Sequence, residues 1–337
     1  MNYIGSKHTL APFITQTVHN VCGDDLTEKT FCDLFAGTGS VGRNFKDKVA
    51  KVIANDLEYY SYILNSTFLN NDTSIYHREL LSELNNLKGI SGFIASEYGA
   101  YGEAGRNYFS QENAQKIDAV RLKIEKWKTD GAIDKGTFYW LLTVLLEAAD
   151  KVANTASVYG AYLKGLKKTA QKPLVLHWQE QDLFEILSNT NQSNEVYNED
   201  ANTLIKKING DILYLDPPYN ARQYGANYHL LNTIAKYDTF APVGKTGLPA
   251  YNKSAYCSKV KVEEAFESLI KNAQFKYIFL SYNNEGLMSS EVIRSTLEKY
   301  GRYDLATTTY QRFKADKTES RNHKASSTIE YLHILEK

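Results

Sequence analysis

Thr30-Phe-Cys-Asp-Leu-Phe-Ala-Gly-Thr-Gly-Ser-Val-Gly42 runs from an apolar stretch into glycines at positions 37, 39 and 42. Residues 30–35 read as a buried strand, 40–48 as a short helix and 50–56 as a second apolar strand closing on Asp56. That is a β-α-β unit, the building block of a parallel sheet. Glycines at a strand-to-helix turn let the backbone pass close to a ligand at the helix N-terminus. Gly37, Gly39 and Gly42 satisfy the G-x-G-x-x-G dinucleotide spacing, with Asp56 at the offset of a ribose-binding acid. A nicotinamide-dependent oxidoreductase fits this spacing. S-adenosylmethionine fits it equally, since an acid ending the second strand can hold both ribose hydroxyls. Asp56 also suits an N-cap for a helix starting at Leu57.

Outward from this unit the pattern changes. Helical periodicity dominates residues 59–187, notably 114–127 and 138–150, with a Gly-rich break at 98–105 and a basic, Gly-containing loop at 159–172. Strand signals resume at 195–198, 211–216, 276–282, 304–313 and 328–335, with helices expected at 201–208, 263–272 and 291–300. Strands alternating with helices predict a mostly parallel sheet, and the last two strands, with no helix between them, predict an antiparallel hairpin at its edge. The intervening residues form a helical lobe inserted into the sheet domain.

The strand at 211–215 runs directly into Asp216-Pro217-Pro218-Tyr219, for which a dehydrogenase has no use. Methylation of an exocyclic amino group does have a use for it. That nitrogen's lone pair is delocalised into the ring until acceptors on its N–H groups localise it, and the Asp216 carboxylate and Pro217 carbonyl are two such acceptors. Consecutive prolines stiffen the backbone and remove competing donors. Tyr219 offers an aromatic face for a base taken out of the duplex.

With these motifs in this order, the chain resembles the Dam-like, alpha-group adenine-N6 DNA methyltransferases over nearly its whole length. The resemblance rests on Tyr3-Ile-Gly-Ser-Lys7, on Phe35 to Gly39, on Asp56, on Asp216 to Tyr219 and on Ser281-Tyr-Asn-Asn284. It implies an α/β fold: a Rossmann-like, class I S-adenosylmethionine-dependent methyltransferase sheet with an inserted helical target-recognition lobe. Residues 1–58 and 190–337 would form the catalytic domain and 59–189 the lobe. It further implies S-adenosylmethionine as cofactor, held by Tyr3, Lys7, Asp33, Phe35, Ala36, Gly37, Gly39, Asp56 and Asp216 and by a third acid, Asp200 or Glu199, at the cofactor adenine. Lys7 is expected at the methionine moiety, and catalysis at Asp216, Pro217, Pro218 and Tyr219. Double-stranded DNA is the implied substrate, and a restriction endonuclease acting on the same site a possible companion.

The bulk composition bounds these readings. The 337 residues are 43% hydrophobic, enough for a full core. Lysine plus arginine equals aspartate plus glutamate at 39 each, so any DNA-binding charge must be local. Lys164, Lys167, Lys168 and Lys172 form one such cluster and Arg312, Lys314, Lys317, Arg321 and Lys324 another. Lys164, Lys167, Lys168 and Arg222 are the candidate DNA contacts. Cys22, Cys32 and Cys257 have no paired spacing for a disulfide or zinc site. None follows a proline, as the nucleophile of a cytosine-C5 methyltransferase would. Cytosine-N4 transfer uses similar amino chemistry and stays as an alternative. His229 is expected to be structural or near the DNA backbone, because the proton can leave after transfer without a dedicated base. No basic-then-apolar leader and no apolar run of about 18 residues occurs, which predicts a cytoplasmic, unprocessed protein.

Overall fold

The computed structural model describes residues 7–69, 77–178, 193–311 and 327–337. Tyr3 and its neighbours through Ser6, and the basic set from Arg312 to Lys324, lie outside the described residues. The chain divides into two compact units. One comprises Ser6–Leu57, Gln192–Gln223 and Lys253–Lys337, and the other Glu58–Asn191 and Tyr224–Asn252 together with the first residues.

The first unit is built on one seven-stranded sheet: β1 (Thr30–Asp33), β2 (Lys51–Asn55), β3 (Glu195–Tyr197), β4 (Asn209–Leu215), β5 (Gln274–Asn283), β6 (Arg302–Gln311) and β7 (Ser327–Glu336). Their order is β3-β2-β1-β4-β5-β7-β6. The first five strands are parallel, and β7 lies antiparallel between β5 and β6. Phe31, Val52, Ile53, Ala54, Ile212, Leu213, Phe279 and Leu280 are all buried. Such near-continuous apolar runs belong to strands covered on both faces. The helix Ser40–Phe45 packs back on the sheet by stacking Phe45 on Phe31, with ring centroids 4.1 Å apart. Chain order runs outward from β1 through β2 to β3 on one side and from β4 to β5 on the other. The switch point between β1 and β4 opens a crevice at the carboxyl ends of those strands. Asp33 pairs in register with Tyr214 there, so the glycine loop and Asp216 emerge side by side.

Two expectations about this unit change. The helix expected at 201–208 is only Ala201–Leu204, because β4 begins at Asn209 and the chain needs the intervening residues to turn. A helix at Ala11–Cys22 was not anticipated, although Leu10, Ile14 and Val18 recur at fourfold spacing and are buried.

The second unit is helical. Lys135–Val152 is apolar nearly all round, with Trp140, Leu141, Leu142, Val144, Leu145 and Leu146 buried, as befits a central helix. Asp134 caps it by accepting from the Thr137 amide at 2.6 Å, and Ser110 caps Gln111–Thr129 through the Asn113 amide at 3.2 Å. Residues 224–252, expected with the sheet, group with these helices. Arg121, buried on Gln111–Thr129, donates to the Ile234, Ala235 and Lys236 carbonyls that end the helix His229–Lys236. Tyr98 donates to the Gly247 carbonyl at 2.6 Å. Orphan carbonyls at a helix end need donors, and the helical unit supplies them.

Candidate active site

The turn after β1 is held open by backbone geometry. Gly37 and Gly39 have φ of 53° and 78°, the left-handed region where a side chain is strained. Asp56 does not cap the next helix, whose N-cap is Glu58. Its Oδ2 instead accepts from the Gly37 amide at 2.8 Å, tying the end of β2 to the glycine loop. Asp33 Oδ2 accepts from the Gly42 amide at 3.0 Å, while its buried Oδ1 has no hydrogen-bond partner among the described residues. Burial, with Asp216 and Asp56 nearby and only the Gly42 bond opposing, pushes the Asp33 carboxyl up to about 8. Phe35 meets Tyr256 edge-on, ring centroids 5.1 Å apart.

Past β3, Glu199 is ion-paired with Lys207, whereas Asp200 is exposed and caps Ala201–Leu204 through the Thr203 amide at 3.0 Å. Asn198 donates to the Asp56 carbonyl at 2.8 Å, joining these two strand ends.

Asp216 directly follows β4. Its Oδ1 lies 3.1 Å from the Lys7 ammonium, which also donates to Glu330 at 3.0 Å. Burial alone would lower the Lys7 pKa, but Asp216, Tyr214 and Glu330 outweigh it and hold it well above the ordinary value. Burial raises Asp216 to about 6, against the pull of Lys7. Pro217 is buried and Pro218 and Tyr219 are half-buried. The Tyr219 carbonyl accepts from the Leu287 amide at 3.1 Å. The same loop is anchored on Tyr282, whose buried phenolic oxygen accepts from the Leu287 and Met288 amides at 3.1 and 3.3 Å. Sequence reasoning did not single out Glu330, Gly286 or Leu287. Tyr282 was noticed only within Ser281-Tyr-Asn-Asn284.

The glycine loop and the Asp-Pro-Pro-Tyr segment thus follow neighbouring strands, with Asp33, Asp56 and Asp216 around them. Residues 3–296 match the model of the D12 class N6 adenine-specific DNA methyltransferases. The chain belongs to this family. It is 61% identical over 338 residues to the type II methyltransferase M.NlaIII of Neisseria lactamica, covering 100% of this chain and 99% of that protein. It is 38% identical over 322 residues to the type II methyltransferase M.CviAII of Paramecium bursaria Chlorella virus 1, covering 94% and 93%. Against the type II methyltransferase M.FokI of Planomicrobium okeanokoites it is 40% identical over 353 residues, spanning 100% of this chain and 53% of the relative. The chain is thus an adenine-N6 DNA methyltransferase, and the nicotinamide and cytosine-N4 readings fall.

Further residues of this methyltransferase sort by their surroundings. Lys164 and Lys168 are exposed, but the Lys167 ammonium donates to the Thr155 carbonyl at 2.7 Å, so the three lysines are not equivalent. Asn154, fully buried, shapes their loop by donating to the Asn107 and Leu163 carbonyls and accepting from the Lys167 amide. Arg222 is exposed, and its carbonyl accepts from the Cys257 thiol at 3.3 Å. His229 is fully buried, with Nε2 facing the Tyr159 carbonyl at 3.1 Å, and burial lowers it to about 4. It is a neutral, structural histidine. Burial pushes the Cys22 thiol up to about 12, far from a thiolate nucleophile. Among the described residues no helix is long and apolar enough to cross a membrane.

Proposed function

We propose that S-adenosylmethionine is the methyl donor, that Asp216 and the Pro217 carbonyl accept from the target amino group, and that the helical unit, with Lys164 and Lys168, carries target recognition. The observation that carries this reading is the emergence of the glycine loop and Asp216 from neighbouring strands at the switch point. The residues fit a cationic donor. Asp33 presents a buried oxygen without a partner among the described residues, Gly37 and Gly39 turn the loop left-handed, and Asp56 follows β2 with a carboxylate suited to ribose hydroxyls. Phe35 and Ala36 line the same turn, and Asp200 is the exposed acid beyond β3.

When bound, the donor supplies a methyl group on a sulfonium, which leaves as a neutral thioether. The protein's part is to aim the acceptor. The Asp216 carboxylate, ionised at neutral pH, and the Pro217 carbonyl take the two N–H bonds and localise the lone pair toward the methyl. As the N–C bond forms, the nitrogen becomes acidic and its proton leaves to solvent, so no base is needed. Tyr219 supports the extruded base by stacking. By kinship with type II methyltransferases, the chain acts in the cytoplasm as the protective partner of an endonuclease that cuts the same DNA site.

Calorimetry with S-adenosylhomocysteine tests the division of roles. Asp56→Ala weakens binding at least tenfold, whereas Asp216→Ala binds within threefold of wild type and transfers no methyl. The opposite pattern overturns the assignment.

A further inference from the structure

The parallel strands bring their carboxyl ends to the catalytic rim, but β7 runs the other way and reaches that rim with its beginning. Glu330 lies there, in register with Asn283, the last residue of β5. Its side chain is 10% exposed and that of Lys7 6%. An ammonium so buried is tolerated only when paired, and this one sits between two carboxylates, Glu330 Oε1 at 3.0 Å and Asp216 Oδ1 at 3.1 Å. One cation between two anions leaves a net negative charge, and the Lys7 ammonium faces one of the two Asp216 oxygens as an ion pair, that oxygen having no hydrogen-bond partner among the described residues.

We propose that Glu330 is a positioning residue for methyl transfer: it draws the Lys7 ammonium to one oxygen of Asp216, so that the other remains the acceptor for the adenine amino group. Without Glu330, the buried ammonium keeps Asp216 as its one carboxylate partner among the described residues and moves onto both oxygens, competing with the substrate. The inference rests on the reading of Asp216 as that acceptor. Among the described residues, the charged and titratable groups around Asp216 are Lys7, Glu330 from β7, Asp33 from β1 and Tyr214 from β4, with Tyr219 beside Lys7. Glu330 raises the Asp216 pKa and Lys7 lowers it. Removing the Glu330 charge therefore shifts the acid limb of the transfer rate to lower pH, by about half a unit or more for charges this close.

The test is single-turnover transfer to duplex DNA across pH 5 to 8 (about two units below neutrality to one above), for wild type, Glu330→Gln, Glu330→Ala and Asp216→Ala. Glu330→Gln keeps an acceptor for Lys7 without the charge. It is expected to hold the rate within about threefold at neutral pH while its acid limb moves down. Glu330→Ala is expected to lose tenfold or more in rate, with S-adenosylhomocysteine affinity unchanged and the same shift of the acid limb. A wild-type rate in Glu330→Ala, or an acid limb unmoved in Glu330→Gln, overturns the proposal. Should Glu330→Ala fail to fold by circular dichroism, the Glu330→Gln profile decides alone. If Asp216→Ala itself transfers methyl, the acceptor reading fails, and the inference with it. If Asp216→Ala is dead and both Glu330 variants match wild type, the inference alone fails.

Discussion

Gly286→Ala probes how the catalytic loop is held. A Cβ added at Gly286 would lie 2.0 Å from Cε1, 2.6 Å from Cζ and 2.8 Å from Cδ1 of the Tyr282 ring. Carbon atoms pack at about 3.5–4.0 Å, so either the ring or the loop must move by more than an ångström. The ring is 2% exposed and belongs to the same buried cluster as Met288 and Ile293, so the loop gives way. Leu287 then withdraws from both the Tyr219 carbonyl and the Tyr282 hydroxyl, each 3.1 Å away. Overpacking costs about 1–3 kcal/mol and each lost hydrogen bond about 0.5–1.5 kcal/mol. The expected total, about 2–6 kcal/mol, corresponds to a fall in Tm of roughly 3–8 °C for a chain of this length. Tyr219 loses its brace, and the single-turnover rate falls tenfold or more. Gly165→Ala is the control, because its Cβ meets nothing within 4 Å and its Tm should match wild type. A Gly286→Ala protein that melts and transfers like wild type would refute the bracing role.

Replacing Lys164 and Lys168 together by alanine is expected to weaken DNA binding for all sequences and flatten its salt dependence by about two phosphate contacts. Lys167→Ala should leave the salt slope unchanged, and equal slopes for all variants would remove the first pair from the DNA surface. Tyr219→Ala should lose roughly 1–3 kcal/mol of base stacking and thus tenfold or more in rate, while Tyr219→Phe retains most activity; an equal loss in both would point to the hydroxyl. Asp33, raised to about 8, holds a proton in the folded state that the unfolded chain releases near pH 4. Its contribution to stability therefore falls as pH rises from about 4 to 8. Asp33→Asn, which keeps an acceptor for the Gly42 amide, should stabilise the ligand-free protein at pH 8 by a few kcal/mol and little at pH 4, as read by urea titration. No gain at pH 8 would contradict the buried, protonated carboxyl.

The parts of the site legible in the sequence were those written as contiguous strings. Asp33 to Gly42 and Asp216 to Tyr219 each join a strand end to a constrained turn, so local chemistry reveals them. Lys7 was legible as a motif member, but not as a buried ion-pair partner of Asp216, because the two lie at positions 7 and 216 and only the fold brings them together. Glu330 had no local signal: its importance comes from the antiparallel run of β7, which pairing register determines. The same holds for residues 224–252, whose placement follows from Arg121 bonding the carbonyls of a helix more than 110 positions away. Lys167 looked like its neighbours in sequence, and only the loop folded by Asn154 turns its ammonium inward.

The central claim is adenine-N6 transfer centred on Asp216, and nucleoside mass spectrometry tests it most directly. Duplex DNA incubated with the purified protein and S-adenosylmethionine is digested to nucleosides, with Asp216→Ala run in parallel after calorimetry has shown that it still binds S-adenosylhomocysteine. The expected result is N6-methyldeoxyadenosine from wild type and none from Asp216→Ala. Methylated cytosine in place of methylated adenine, or undiminished N6-methyldeoxyadenosine from Asp216→Ala, would contradict the account.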